Sequence, residues 1–325
     1  MRVTVTGGVG YVGGALVDAL VAAGHSVMVI ERRDAHPGDA ATPGVTVARC
    51  DLRDREGLTA ALRAHRAEAV FHAAARSIVG ESVVDPAPYW DVNVRGTLCL
   101  LDAMRDAGVG ALVFSSSAAV YDPSAPQPMA ETSPTRPANP YGETKVAAER
   151  AIDRYRSAYG LRAAALRYFN VAGATATRGE RHEPETHIIP RALMALTGEV
   201  DALTVNGTDW ATPDGTCVRD YVHVSDVARA NLAALDALTR DGGLPLAYNV
   251  ASAARGFSVR EVIDAVTRVT GRAPPVRYGP RREGDPPVLV ADCSLARDVL
   301  GWSPRESELD AMVESAWRWW SSARG

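Results

Sequence analysis

MRVTVTGGVGYVGG, residues 1–14, decides how the chain is read. Arg2–Thr6 alternates polar and branched apolar residues and reads as a strand. It runs into Gly7, Gly10 and Gly13 at GxxGxxG spacing. These open a helical stretch, Gly10–Ala23, with Val12, Leu16 and Leu20 on one face. A strand, a glycine turn and a helix in that order aim backbone N–H groups at one point, where a pyrophosphate is stabilised. Ser26–Glu31 reads as the next strand and ends in a carboxylate 18 residues beyond Gly13. A carboxylate there accepts hydrogen bonds from ribose hydroxyls and repels a 2′-phosphate, which favours NAD. Arg32 and Arg33 follow it and keep NADP open, because a guanidinium at this corner can receive the phosphate.

Outward from this motif the alternation continues. Val45–Arg49, Ala69–His72, Ala111–Ser115 and Arg162–Tyr168 read as strands. Asp54–His65, Pro86–Gly108 and Pro140–Tyr159 read as helices. Strands separated by helices of this length predict an α/β fold, a doubly wound parallel sheet with right-handed crossovers. After Asn170, turn-rich stretches separate shorter elements. The expected division is a Rossmann domain over residues 1–170 and a second, smaller substrate-binding α/β domain over 171–325. The segment at about 219–251 is expected to return to the first domain. The final helix carries Trp317, Trp319 and Trp320, expected to be docking contacts.

The 325 residues are 46% apolar and 23% charged, enough apolar material for a sizeable core. Lys plus Arg number 35 against 39 Asp plus Glu, a net charge of −4 that offers no basic surface to nucleic acid. No apolar run reaches the ~18 residues of a membrane span, and the N-terminus lacks a signal-peptide core. Cys50, Cys99, Cys217 and Cys293 show neither metal nor disulfide spacing. The expectation is a cytoplasmic protein with reduced thiols, no metal, and no nucleic-acid or membrane partner.

Two further segments carry chemistry. FSSSAAVY (114–121) ends a strand, and NPYGETK (139–145) opens a helix at Pro140. Tyr141 and Lys145, four apart, project from one face. Tyrosine, with a reference pKa of ~10, is a poor base at neutral pH. A neighbouring ammonium and an oxidised nicotinamide would both favour phenolate. Tyr141 is then expected to remove a hydroxyl proton while hydride leaves the same carbon for the cofactor, with Ser117 holding the substrate oxygen.

With FHAAARSIVGES, NVRGTLCLLDAM, LRYFNVAGA, DGTCVRDYVHVSD and RREGD added, the chain resembles the extended short-chain dehydrogenase/reductase superfamily. Within it, the resemblance is to the UDP-glucose (UDP-galactose) 4-epimerases, collinear over nearly the whole chain. It implies catalytic roles for Tyr141, Lys145 and Ser117. It implies a cofactor cleft that starts with the pyrophosphate loop of Gly7, Gly10, Tyr11, Val12 and Gly13. Glu31, Arg32, Asp51 and Leu52 are implied around the adenosine half. Ala73, Ala74, Ala75, Arg76, Asn93, Ser115 and Tyr168 are implied to line the rest, with Asp51 on adenine. For the uridine diphosphate sugar it implies Asn170, His187, Ile188, Thr204, Asn206, Arg219, Tyr221, Arg282, Asp285 and Leu289, beside Ser117 and Tyr141. Arg76 stands where lysine is common, and His187 where some members have asparagine. Leu289 stands where some carry a bulky tyrosine, which by resemblance leaves room for an N-acetyl group. A homodimer through the helices at 86–108 and 140–159 is also implied.

The chemistry implied is 4-epimerisation: oxidation to a 4-ketose, ring turnover, and hydride return to the other face. Binding energy then belongs on the nucleotide, with the sugar held loosely. A pentose or uronate 4-epimerase and a 4,6-dehydratase are the alternatives. The dehydratases need an acid/base pair after the serine position, where this chain has Ala118 and Ala119.

Overall fold

The central element is a sheet of seven parallel strands. In chain order it contains β1 (Arg2–Thr6), β2 (Ser26–Glu31), β3 (Thr46–Arg49), β4 (Ala69–His72), β5 (Ala111–Ser117) and β6 (Arg162–Tyr168). The computed structural model describes residues 1–32, 42–240, 243–252, 256–282 and 284–322, so Arg33 lies outside the described residues. After β6 come β7 (Asn170–Ala172), β8 (Leu203–Asn206), β9 (Val218–Arg219), β10 (Tyr221–His223) and β11 (Ala247–Val250). Then follow β12 (Phe257–Ser258), β13 (Val276–Gly279) and β14 (Val288–Leu289). Of these, β11 joins the central sheet, whose order is β11-β6-β5-β4-β1-β2-β3. The doubly wound parallel fold predicted from the alternation is the one found.

Both sheet faces are buried, which is why the strands read as runs of Val, Ala, Ile and Leu. Odd-numbered residues of β1 and β2 (Val3, Val5, Val27, Val29) pack with Leu16 and Leu20 of α1 (Tyr11–Ala22). The same core takes Val227, Leu235 and Leu238 from α8 (Val224–Arg240). On the opposite face, Met28, Ile30, Val70 and Leu112 pack with Leu58 and Leu62 of α2 (Arg55–His65). Leu100 and Met104 of α5 (Gly96–Ala107) and Ile152 of α6 (Pro140–Tyr159) complete that face.

Two local features depart from the sequence reading. A short helix, α3 (Val79–Val84), precedes the stretch read as one helix from Pro86. That stretch runs as α4 (Ala87–Tyr89), a π-helical turn at Trp90–Arg95, and then α5. A π turn widens the helix by a residue and such turns gather at functional sites. Here it holds Asn93.

The remaining strands form three small sheets: β7 with β10, β12-β9-β14, and β8 with β13. A third core joins α7 (Ile188–Thr197), α9 (Val259–Thr270) and α11 (Leu309–Ser322), with α10 (Ser294–Leu300) returning to the first. Trp320 is buried in this third core, and Trp317 and Trp319 pack against it.

The central sheet has its switch point between β1 and β4, where the chain has wound outward in both directions. The crevice at the carboxyl ends of such strands is where ligands bind. Gly7 turns there in the left-handed region at φ +74°. Gly13 lies so close beneath it that a Cβ would stand 2.1 Å from the Gly7 carbonyl oxygen. A Cβ on Gly10 would meet nothing nearer than 3.5 Å. Gly13→Ala is therefore expected to destabilise the fold by about 1–3 kcal/mol in urea unfolding, as overpacking does, and Gly10→Ala to leave the midpoint near that of the parent. Equal midpoints for all three proteins would refute this reading of the loop.

Candidate active site

The entry of α6 is built to tight tolerance. Asn139 caps it, its side chain accepting from Gly142 N–H at 2.9 Å, and Pro140 occupies the first turn. At Gly142 a Cβ would lie 2.2 Å from the Ala119 carbonyl oxygen. Glycine there lets the helix start against the turn that follows β5, which brings Tyr141 to Ser117. Tyr141 N–H donates to Ser82 Oγ on α3 at 3.2 Å. Its carbonyl accepts from Thr144 Oγ1, which in turn accepts from Asn93 Nδ2 at 3.0 Å.

Lys145 is buried on the same face. Its ammonium donates to the Ser115 carbonyl at 2.7 Å and lies 4.8 Å from the Phe114 ring centre and 5.8 Å from that of Tyr141. Burial drives its pKa down to about 8, while the charge of Glu149 works the other way. The Tyr141 phenol is pushed up to about 12 by burial, opposed by its hydrogen bond with Ser117. The expectation from sequence concerns the phenol with an oxidised nicotinamide beside it, a positive charge beyond those of the protein itself. In the protein's own surroundings desolvation of the phenolate wins. Ser117 also accepts from Ala119 N–H at 3.2 Å, which fixes its rotamer.

The rest of the cleft is a set of locked polar contacts. His72 bridges Thr6 Oγ1 (2.7 Å) and Thr97 Oγ1 (2.9 Å), and burial holds it neutral with a pKa of about 3. Asn93 is fully used by the protein: Oδ1 accepts from Arg76 N–H at 2.8 Å, and Nδ2 donates to the Arg76 carbonyl and to Thr144. The Arg76 guanidinium pairs with Glu81 and lies 5.4 Å from the Tyr89 ring centre. Tyr168 Oη meets Ser115 Oγ at 3.2 Å and accepts from Asn231 Nδ2 at 2.8 Å. Tyr11 Oη donates to the Gly173 carbonyl at 2.6 Å, tying the glycine turn to the chain beyond β7. Ala73 continues the ladder of β1 through its N–H to the Thr6 carbonyl (3.1 Å), and the Ala74 backbone lies against Gly7. Ala75 and Val12 are partly exposed, while Leu52 is buried.

Glu31 closes β2, and its carboxylate accepts from Arg32 N–H at 2.9 Å. The Arg32 side chain lies 3.8 Å from Asp51. Asp51 is gripped by Arg53 through Nε (2.8 Å) and Nη2 (2.7 Å), which holds its carboxyl at about 2. Among the described residues, Glu31 ends β2 where a ribose diol would be met, and Arg32 and Arg53 are drawn toward Asp51, an arrangement that fits a diol better than a 2′-phosphate. Gly10, where an added Cβ would be in no more than ordinary contact with the Gly7 carbonyl at 3.5 Å, stands at the N-terminus of α1, a position that fits a pyrophosphate.

Around the small sheets, β9 and β14 set Arg219 opposite Leu289. Arg219 donates to the Pro286 carbonyl at 2.9 Å and lies 3.7 Å from Asp285, so these three sequence-selected residues are brought together. Asn170 and Tyr221 are ladder partners of β7 and β10, with the Tyr221 ring buried in the third core. His187 caps α7 immediately before Ile188. Burial works against its charged ring, but the hydrogen bond to Glu185 (2.8 Å) and the charge of Glu180 outweigh it and hold the pKa above the ordinary value. Thr204 and Asn206 lie on β8, Thr204 exposed, and Arg282 is exposed in the loop before Asp285.

Ser82, Gly142, Thr144 and Asn231 shape the site and were missed from sequence. Gly142 was the most legible of these, standing inside the YGETK segment between cap and lysine.

The model of the NAD dependent epimerase/dehydratase family matches residues 3–251. The UDP-glucose 4-epimerase of Streptomyces lividans is 47% identical over 321 residues, covering 98% of this chain and 95% of that protein. The crystal structure of UDP-glucose 4-epimerase from Brucella ovis in complex with NAD superposes with a TM-score of 0.92 at 43% identity, covering 98% of each chain. The UDP-Glc/GlcNAc 4-epimerase of Campylobacter jejuni superposes with a TM-score of 0.84 at 34% identity, covering 98% of this chain and 99% of that one.

Burying Lys145 has a price in stability that pH exposes. Its pKa falls from 10.5 unfolded to about 8 folded, so the charged form costs about 3 kcal/mol. Below pH ~8 the whole cost is present; between ~8 and ~10.5 the unfolded chain binds the extra proton and stability rises. Lys145→Met is expected to be the more stable protein in urea at neutral pH, with the difference shrinking as pH rises through that window. A difference that stays flat or widens with pH would contradict the geometry.

Proposed function

Because the chain belongs to the NAD-dependent epimerase/dehydratase family, we infer that it is an NAD-dependent enzyme interconverting UDP-glucose and UDP-galactose. The observation that carries this is the assembly of Ser117, Tyr141 and Lys145 at the carboxyl edge of the sheet, beside a glycine turn shaped for a pyrophosphate. Near-full-length likeness to UDP-glucose 4-epimerases supports it.

NAD would be held by the glycine turn and Glu31, and when bound it would supply a reversible hydride acceptor for C4 of the hexose. The chain's own residues do the rest. Gly7, Gly10 and Gly13 admit the pyrophosphate, and Glu31 meets the adenosine ribose. Tyr141 takes the proton from the C4 hydroxyl and gives it back, while Ser117 steers the same oxygen. Lys145 supplies a buried cation near the phenol, where the poorly solvated surroundings let it act strongly. Asn93 and Arg76 hold the cleft wall. Arg219, Asp285, Arg282, Asn170 and His187 hold the nucleotide half, leaving the sugar free to turn over. The proposed division is cofactor on residues 1–170 with the returning segment, and nucleotide sugar on 171–325.

Three finer readings go with this. Leu289, half-buried on β14, leaves room for an N-acetyl group, so UDP-N-acetylhexosamines are accepted as well. Val83, Val84, Trp90, Leu98 and Tyr159 form exposed apolar points on α3, the π turn, α5 and α6. A second copy of the chain covers them in a homodimer. The proposed site of action is the cytoplasm. Among the described residues no helix is long and apolar enough to cross a membrane.

The test is interconversion of UDP-glucose with UDP-galactose, and of their N-acetyl counterparts, by the parent and by Tyr141→Phe. The parent should turn over both pairs. Tyr141→Phe should keep its bound NAD and fold, with kcat lower by about 10²–10⁴-fold, the usual worth of a general base. A fully active Tyr141→Phe would move the base elsewhere, and a parent inactive on the acetylated pair would remove that part of the reading.

A further inference from the structure

One helical turn beyond Lys145, Glu149 is buried within a set of charge-assisted bonds that the scheme above does not use. Its carboxylate accepts from Arg167 of β6 through Nε (3.0 Å) and Nη2 (2.7 Å), and from Ser116 Oγ of β5 at 2.5 Å. Arg167 also donates to Tyr121 Oη (3.0 Å) and the Glu131 carbonyl (3.1 Å), so the carboxylate is fixed in place.

The surroundings of Lys145 give that carboxylate a task. From α6 itself come Tyr141, whose ring centre lies 5.8 Å from the ammonium, and Glu149, one helical turn on. From β5 it meets the Ser115 carbonyl and the Phe114 face. From β4 comes His72, which is neutral and itself disfavoured as a cation by Lys145. From β6, Arg167 brings a positive charge already matched to Glu149. Among the described residues, Glu149 is the carboxylate whose charge acts on Lys145, and it favours the ammonium against burial.

We propose that Glu149 is a positioning residue for the reaction: pinned by Arg167 and Ser116, it supplies from one turn away the negative charge that keeps buried Lys145 protonated while the enzyme works. This rests on reading Tyr141 and Lys145 as the catalytic pair. The strand end that carries Ser117 is tied to the same carboxylate through Ser116, so the charge and the hydroxyl are set by one anchor.

The experiment is the pH profile of kcat for NAD-loaded parent, Glu149→Gln, Glu149→Asp and the double variant Glu149→Gln/Arg167→Met. The alkaline limb reports loss of the Lys145 proton. It should move to lower pH by about half a unit or more in Glu149→Gln, as loss of a nearby charge in a poorly solvated place requires, and in the same direction but by less in the double variant, which also removes the positive charge of Arg167. Glu149→Asp, which keeps the charge, should retain the parent's limb, and KM for UDP-glucose should stay within about twofold throughout. The double variant guards against a folding artefact, because it leaves no unpaired guanidinium in the core. A folded double variant with the parent's alkaline limb would overturn the proposal. So would a kcat reduced equally at every pH. Tyr141→Phe separates the two levels: if it is inactive and the limb does not move, Glu149 alone is misread; if it is active, the pair itself is.

Discussion

A positive charge held where water cannot reach it is the constraint from which the rest of this molecule follows. Lys145 sits under the cleft with a main-chain carbonyl as its hydrogen-bond partner and aromatic faces beside it. An ammonium in such a place is expensive, and the cost falls on the fold as a whole. In the proposed reaction the same lack of solvent lets the ammonium, 5.8 Å from the Tyr141 ring centre, act on that phenol with little screening. The large apolar cores on both faces of the sheet supply the stability that makes this arrangement affordable.

Much of the architecture delivers three side chains to one place. Ser117 ends β5, where the strand outruns its predicted length by two residues. Tyr141 and Lys145 come from a helix whose first turn is pressed against the chain after that strand, with glycine at the point of contact. Asn93, in a widened helical turn, clamps the end of β4 to that same helix through Arg76 and Thr144. The same clamp reaches the glycine turn: the Asn93 carbonyl accepts from Thr97 Oγ1, and His72 links Thr97 to Thr6 beside Gly7, so the turn and the Tyr141 helix share one hydrogen-bonded wall at the switch point.

The parts legible in the sequence were those with local causes. Periodicity and glycine spacing gave the strands and helices of the first half, because each is decided by neighbours along the chain. The pairing of Tyr141 with Lys145 was legible for the same reason, being four residues apart on one helix. Contacts made by folding were not legible: Ser82 under Tyr141 and Asn231 on Tyr168. The burial that pushes the Tyr141 phenol up was not legible, because charge proximity can be counted from sequence while desolvation cannot. The π turn was invisible because its residues fit an ordinary helix equally well. In the second half, Arg219, Asp285 and Leu289 were selected as family matches, and their meeting on one small sheet depends on two-residue strands too short to leave a periodic signal.

The central claim is that Lys145 makes Tyr141 a usable base once NAD is in place. The direct measurement is the near-ultraviolet phenolate absorbance of the NAD-loaded protein against pH, taken as the difference from the protein with phenylalanine at 141, with and without the lysine. The account predicts a Tyr141 phenolate that forms well below the ordinary tyrosine range when Lys145 is present, and only at strongly alkaline pH when it is replaced by methionine. A phenol that titrates at the same pH in both proteins would contradict it.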